Sequence, residues 1–177
     1  MKHNEMWIFV EGNDDKLFFE HILKPEFDKS YPCVHVWRWA QKPRKILVDL
    51  IHKIIADGDD YLFFADINSF PRVRDKKEEL KKQIAILQDH KIFIVIKAIE
   101  SWFMAGLDND TLSSLGINLI EDTTDITKSK FFKLLPKKYK RSGIDFINEI
   151  LKYYNTTTAI QKNCSFKYFY EKNFQNS

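Results

Sequence analysis

Four side chains far apart in the primary order, Glu11, Asp66, Asn68 and Glu100, each stand at or just beyond the end of an apolar run. Glu11 follows Met6-Trp7-Ile8-Phe9-Val10, and Asp66 follows Tyr61-Leu62-Phe63-Phe64-Ala65 with Asn68 two residues on; Glu100 comes shortly after the run from Lys91 to Ile96. Oxygen donors delivered by separate elements to one edge of a sheet are what a hard cation requires. Mg²⁺ takes an octahedron of oxygens at about 2.0–2.1 Å, a few from carboxylates and the rest from water or phosphate. Several acids on one edge also concentrate negative charge that a cation or basic side chain must offset. Glu11 has a second reading, a surface glutamate beside an N-capped helix, and so has Glu100, a first-turn acid of the helix that holds Trp102 and Phe103. Asp57, Asp59 and Asp60 form a contrast, since they precede their strand and fall at the opposite edge as turn and cap residues.

That chemistry depends on elements that end side by side. Met6 to Val10 is apolar throughout, the pattern of a strand covered on both faces in a parallel sheet. Gly12 permits a tight turn after Glu11, and Asn13 or Asp14 can cap a helix from Asp14 to Leu23 that Lys24-Pro25 ends. Cys33-Val34-His35-Val36-Trp37-Arg38-Trp39 alternates as a second strand. A helix from Pro43 through Ala56 follows, with Ile46, Leu47, Leu50, Ile51, Ile54 and Ile55 as its buried stripe. Tyr61 to Ala65 is the third strand, a charged helix from about Arg72 to Asp89 turns Leu80, Ile84 and Leu87 inward, and Lys91 to Ile96 is the fourth strand. This alternation predicts an α/β fold, a three-layer α/β/α sandwich around a mostly parallel four-stranded sheet. Beyond Gly106 strand signals stop, and short helices, among them Phe146 to Tyr154 and Phe166 to Phe174, predict a helical extension. The expected division is a first domain over 1–107 and a helical extension or small subdomain over 108–177.

Glu11-Gly12 at a strand end, Asp15 four residues after Glu11, and Asp66-x-Asn68 after a later strand resemble the Toprim domain, the fold shared by topoisomerases, bacterial primases and the overcoming-lysogenization-defect nucleases. Ile99-Glu100-Ser101-Trp102-Phe103 is similar to a feature of small Toprim-like bacterial proteins associated with mobile elements and phage defence. The resemblance spans roughly Met6 to Gly106. It implies a Mg²⁺ (or Mn²⁺) site in which Glu11 is a ligand or the general acid/base and Asp66 is the principal ligand. Asp15 and Asn68 complete the shell directly or through water, Glu100 adds a further carboxylate, and Lys97 neutralises a phosphate or leaving oxygen; read without the resemblance, Asp15 is also a first-turn helix acid and Lys97 a solvated strand-end lysine. It implies a metal-dependent nuclease. The pattern departs at Asn68, where the family carries aspartate; an amide carbonyl still ligates but brings no charge. That departure supports a second expectation, a catalytically weak module that binds nucleic acid or nucleotide and regulates a partner.

The remaining features bear on partners. From Ile126 to Ile144 the chain carries Lys128, Lys130, Lys133, Lys137, Lys138, Lys140 and Arg141 and no acid, in a chain whose formal net charge is only +3. A cationic block on an otherwise net-acidic chain points to a polyanion, DNA or RNA alike, with Arg72 and Arg74 as further phosphate contacts near the acidic edge. Phe131, Leu134 and Leu135 have the helical spacing of core residues. No Gly-x-x-x-x-Gly-Lys-Ser/Thr loop is present, so any ATPase involved is a separate protein. No apolar run approaches the roughly 20 residues of a membrane span. The start, Met1-Lys2-His3-Asn4-Glu5, lacks the small-residue cleavage site of a signal peptide. Cys33 and Cys164 make neither a disulfide framework nor a metal-ligand spacing, and His35, His52 and His90 are dispersed with no ligand spacing, which fits buried or idle thiols in a reducing cytoplasm and no catalytic part for the imidazoles.

Overall fold

The computed structural model describes residues 4–175; Met1, Lys2 and His3, which open the start read above for a signal peptide, lie outside them. The sheet has four strands, β1 (Met6–Val10), β2 (Val34–Arg38), β3 (Asp60–Asp66) and β4 (Ile92–Val95), in the order β2-β1-β3-β4. All are parallel, and the architecture is a three-layer α/β/α sandwich followed by C-terminal helices. β1 pairs with β2 from Met6↔Val34 to Val10↔Arg38 and with β3 from Met6↔Asp60 to Phe9↔Phe63. β1 therefore lies inside the sheet, which accounts for its unbroken apolar run: Met6, Ile8, Phe9 and Val10 are all buried.

Alternation along the strands sends Phe9, Tyr61, Phe63 and Ala65 to one face, where they meet Leu47, Ile51 and Ile54 of α3 (Arg44–Asp57) and Leu80 of α4 (Val73–Gln83), with Ile84 and Leu87 just beyond it. Each Leu, Ile or Phe among them taken fully from water contributes about 1.5–3 kcal/mol. Phe64 serves the other face, its ring 4.4 Å from Phe19 and 5.5 Å from Phe93. Two expectations need correction. The buried stripe of α3 is narrower than the sequence pattern, because Ile46 and Ile55 are 52% and 41% exposed; a helix lying on one sheet buries only the residues nearest that sheet. The helix after Gly12 does not stop at Lys24-Pro25 either. It runs as α1 (Asn13–Phe18), widens into a π turn over Phe19–Leu23, and resumes as α2 (Lys24–Phe27). Pro25 sits in the first turn of α2, where its missing N–H costs nothing.

Contacts divide the chain into two compact units, Met1–Ile94 and Val95–Ser177, so the helix at Glu100 belongs with the C-terminal helices and not with the first 107 residues. The second unit contains α5 (Glu100–Ala105), α6 (Asn109–Ser114), α7 (Lys128–Leu134), α8 (Gly143–Leu151), α9 (Thr156–Lys162) and α10 (Cys164–Tyr170). Asp108, Thr127, Ser142, Asn155 and Asn163 cap the last five of these with side-chain oxygens. The core of this unit is aromatic. Trp102 stacks on Phe169 at 5.7 Å, meets Phe166 edge-on at 5.1 Å, and donates its indole N–H to Ser165 Oγ at 2.8 Å. Phe131 and Leu135 are buried as their spacing predicts, while Leu134 is only half-buried and Phe132 is 45% exposed. Among the described residues no helix is long and apolar enough to cross a membrane.

Candidate functional site

The strand order makes one point of the sheet special. From β1 the chain crosses to β2 on one side, then returns past β1 to lay β3 on the other. Connections leaving the carboxyl ends of β1 and β3 therefore run in opposite directions, which makes this the switch point of the sheet, the place where α/β proteins bind ligands. Glu11 and Asp66 stand at those two strand ends. Glu11 Oε2 accepts a hydrogen bond from the Asp66 backbone N–H at 3.0 Å, which ties the two acids together across 55 residues of sequence.

The residues around them are held locally. Gly12 donates its N–H to Asp15 Oδ2 at 3.1 Å, and the Lys16 N–H returns to Gly12 O at 3.1 Å, so Asp15 is spent on closing the first turn of α1. Asp15 is buried, with a side chain that turns back on the loop carrying Glu11. Arg38 at the end of β2 donates to Asn13 Oδ1, and Trp39 donates its indole N–H to Phe64 O at 2.9 Å, bracing the rim from the β2 side. Asn68 has φ 53, the left-handed conformation asparagine tolerates best among residues with a Cβ. Arg72 forms a two-pronged pair with Asp75 on its own helix, Nε and Nη2 at 2.8 and 2.9 Å. That hydrogen bond raises the guanidinium pKa and lowers that of the Asp75 carboxyl. Arg74 lies 4.0 Å from Glu78 at the surface.

Lys97 and Glu100 belong to the second unit and have their own partners there. Lys97, at φ 67, lies 3.9 Å from Asp125. The Glu100 side chain is 3% exposed and pairs with Lys128 Nζ at 3.2 Å, so an expected metal ligand and an expected phosphate contact meet each other. The rest of the basic stretch is more open. Lys130, Lys133, Lys137 and Arg141 are exposed, Lys138 sits 4.6 Å from the centre of the Tyr139 ring, and Lys140 closes α7 by donating to the carbonyls of Phe132 and Lys133 at 3.2 and 3.0 Å.

Among the described residues the acids at the carboxyl edge bring no three ligand atoms within 4.8 Å of one another; the three His, Cys, Asp or Glu side chains that do come so close are Glu5, Cys33 and His35, at the opposite edge. Sequence reasoning passed over it. The signal was Cys33-x-His35 on an alternating strand, which puts both side chains on one face. The β1–β2 register, which carries Glu5 beside them, was not readable from spacing. Comparisons of the chain with protein-family models, with curated proteins and with solved structures find no match.

Proposed function

We propose that the chain is a Mg²⁺-dependent, Toprim-like phosphodiesterase acting on nucleic acid, in defence against mobile DNA, with its active site at the carboxyl ends of β1 and β3. The observation that carries this reading is the Glu11 Oε2 to Asp66 N–H hydrogen bond of 3.0 Å at the switch point of the sheet. The donor set there suits Mg²⁺: two carboxylates supply anionic oxygen and Asn68 a neutral carbonyl, which leaves positions for water and a substrate phosphate. When bound, such an ion polarises the phosphodiester and lowers the pKa of the attacking water. The protein's share is positional. The Asp66 amide fixes one oxygen of Glu11, so the other, Oε1, is the atom that takes the proton of the incoming water. Lys130, Lys133, Lys137 and Arg141 are the exposed cations that neutralise backbone phosphates. With no phosphate-binding loop of its own, the chain works beside a separate ATPase.

A second reading is favoured by Asn68, which offers an ion a carbonyl but no charge. In it the chain is a nucleic-acid or nucleotide binding module that regulates a partner. Plasmid, single-stranded DNA and RNA incubated with Mg²⁺ or Mn²⁺ separate the two. Glu11→Gln keeps a carbonyl to accept the Asp66 N–H while removing the charge, and Asp66→Ala removes the second acid. Cutting that requires the metal and is lost in both variants is expected of the nuclease. Binding that survives chelator, with no cutting by the wild type, overturns it in favour of the module.

A further inference from the structure

We infer that the amino edge of the sheet holds a second metal site, selective for Zn²⁺-class ions, built from Glu5, Cys33 and His35. It lies at the opposite end of β1 from the Glu11–Asp66 pair and stands or falls independently of the nuclease reading.

The geometry centres on one atom. His35 Nε2 is 2.8 Å from Glu5 Oε2 and 3.3 Å from Cys33 Sγ. A ring nitrogen carries either one hydrogen or one lone pair, directed along a single axis in the plane of the ring, so it cannot serve both neighbours well by hydrogen bonding. A cation between the three atoms satisfies all of them at once. Zn–S of about 2.3 Å and Zn–N and Zn–O of about 2.0–2.1 Å in a tetrahedron put S···N at about 3.6 Å and N···O at about 3.4 Å. His35 Nε2 thus needs to draw away from Cys33 Sγ and Glu5 Oε2 by only about 0.3–0.6 Å, and all three atoms already lie within 4.8 Å of one another. Glu5 and His35, with side chains 41% and 35% exposed, have the freedom to do so and leave a path for entry.

The backbone beneath is already fixed. Met6 donates its N–H to Cys33 O at 3.0 Å, Asp60 donates to Glu5 O at 2.8 Å, and Glu5 donates to Asp59 Oδ1 at 2.9 Å. The His35 ring is stacked on Trp7 at 4.1 Å, which sets its plane. Ligands oriented by such outer contacts bind without paying to be ordered. A set of one thiol, one imidazole and one carboxylate is softer than Mg²⁺ or Ca²⁺ accepts and matches Zn²⁺, with a fourth position left for water. Binding deprotonates Cys33, and its proton passes to solvent.

Co²⁺ reports on the site directly, since a thiolate–cobalt bond gives a near-ultraviolet charge-transfer band. The full-length chain, stripped with chelator, is expected to develop this band on Co²⁺ titration, to lose it to Zn²⁺, and to keep it in excess Mg²⁺. Cys33→Ser abolishes the band, and Cys164→Ser, which alters an exposed thiol elsewhere, retains it. His35→Gln and Glu5→Gln each weaken Zn²⁺ by at least about tenfold and keep the test alive should Cys33→Ser fail to fold. A wild type without the band, a band that survives Cys33→Ser, or a Glu5→Gln chain that binds as the wild type does overturns the proposal.

Discussion

Gly106→Ala isolates the packing of the second unit from any question of function. Gly106 follows α5 with φ −77 and ψ −1, a backbone alanine adopts freely. On conformational grounds alone the change would stabilise the protein by about 0.4–1 kcal/mol, through the unfolded chain. Space decides otherwise. A Cβ at Gly106 would lie 2.3 Å from Cδ2 and 2.4 Å from Cε2 of Tyr154, so the ring must retreat by about 1 Å to reach ordinary contact. It has little freedom to retreat, because its hydroxyl donates to Trp102 O at 3.0 Å and the next residue, Asn155, donates to Gly106 O at 2.9 Å. Overpacking costs about 1–3 kcal/mol, and giving up the tyrosine hydrogen bond costs about 0.5–1.5 kcal/mol more. Net of the backbone gain of about 0.4–1 kcal/mol, Gly106→Ala is expected to destabilise the chain by about 0.5–4 kcal/mol, with a middle value of about 2 kcal/mol, read as a lower urea midpoint at unchanged slope. Gly143→Ala is the internal comparison. Its Cβ would meet Phe132 Cε1 at 2.7 Å, but that ring is 45% exposed and swings away, so the cost stays below about 1 kcal/mol. Tyr154→Leu combined with Gly106→Ala should recover part of the loss, a coupling of about 0.5 kcal/mol or more. A Gly106→Ala chain as stable as the wild type, or equal to Gly143→Ala, refutes the reasoning.

Other perturbations test other parts of the molecule. Asn163 donates to Ser101 Oγ and Thr123 Oγ1 at 3.3 and 3.1 Å and accepts from Ser165 Oγ and the Phe166 N–H at 2.9 and 3.0 Å. Asn163→Ala should therefore cost about 2–4 kcal/mol in denaturant unfolding, since it orphans buried groups and removes a helix cap. Burial, with the negative Asp60 beside it, pushes the Tyr31 phenol up to about 12. A raised folded-state pKa favours the protonated form, so the stabilisation from Tyr31 is complete below pH 10 and is lost as pH rises through 12. Tyrosinate absorbance, differenced against Tyr31→Phe, should show this titration, and Asp60→Asn should move it downward. If the basic stretch binds nucleic acid, log affinity falls linearly with log salt, and replacing Lys130, Lys133 and Lys137 by Ala flattens the slope by about 0.7–0.9 for each lost phosphate contact. Equal slopes before and after replacement would remove that surface from the interface.

How much of this was legible in the chain depended on whether the information was local. Strands were readable because Met6–Val10, Tyr61–Ala65 and Ile92–Val95 are apolar enough to exclude other readings, and the acids that end them follow directly. Strand order was not readable, and order is what makes Glu11 and Asp66 neighbours, through a register that no single segment encodes. The exposed Ile46 and Ile55 show the same limit from the other side, since a helical stripe says which residues are able to face a core and not how wide that core is. Pro25 was misread because a π turn over Phe19–Leu23 let the chain restart a helix with proline in its first turn. Lys128 was read as a phosphate contact, and its place beside Glu100 depended on how α5 and α7 pack.

The two edges of the sheet differ in the chemistry their backbones allow, and that difference sorts any ions they meet. The five residues of β1 separate Glu5 from Glu11, six steps or about 20 Å of extended chain, too far for one ion or one field to serve both. At the carboxyl edge, strands run out into turns, and the side chains that collect there are oxygen donors, suited to a hard ion that keeps its waters. At the amino edge, Cys33 and Glu5 are held by hydrogen bonds between neighbouring strands and His35 lies within β2, so a softer ion meets ligands already in place. Metal identity therefore serves as a positional probe. Mg²⁺ dependence of any cutting reports on the Glu11–Asp66 pair, and a cobalt–thiolate band reports on Cys33. A single metal that produced both effects through the same residues would contradict the separation that the length of β1 imposes.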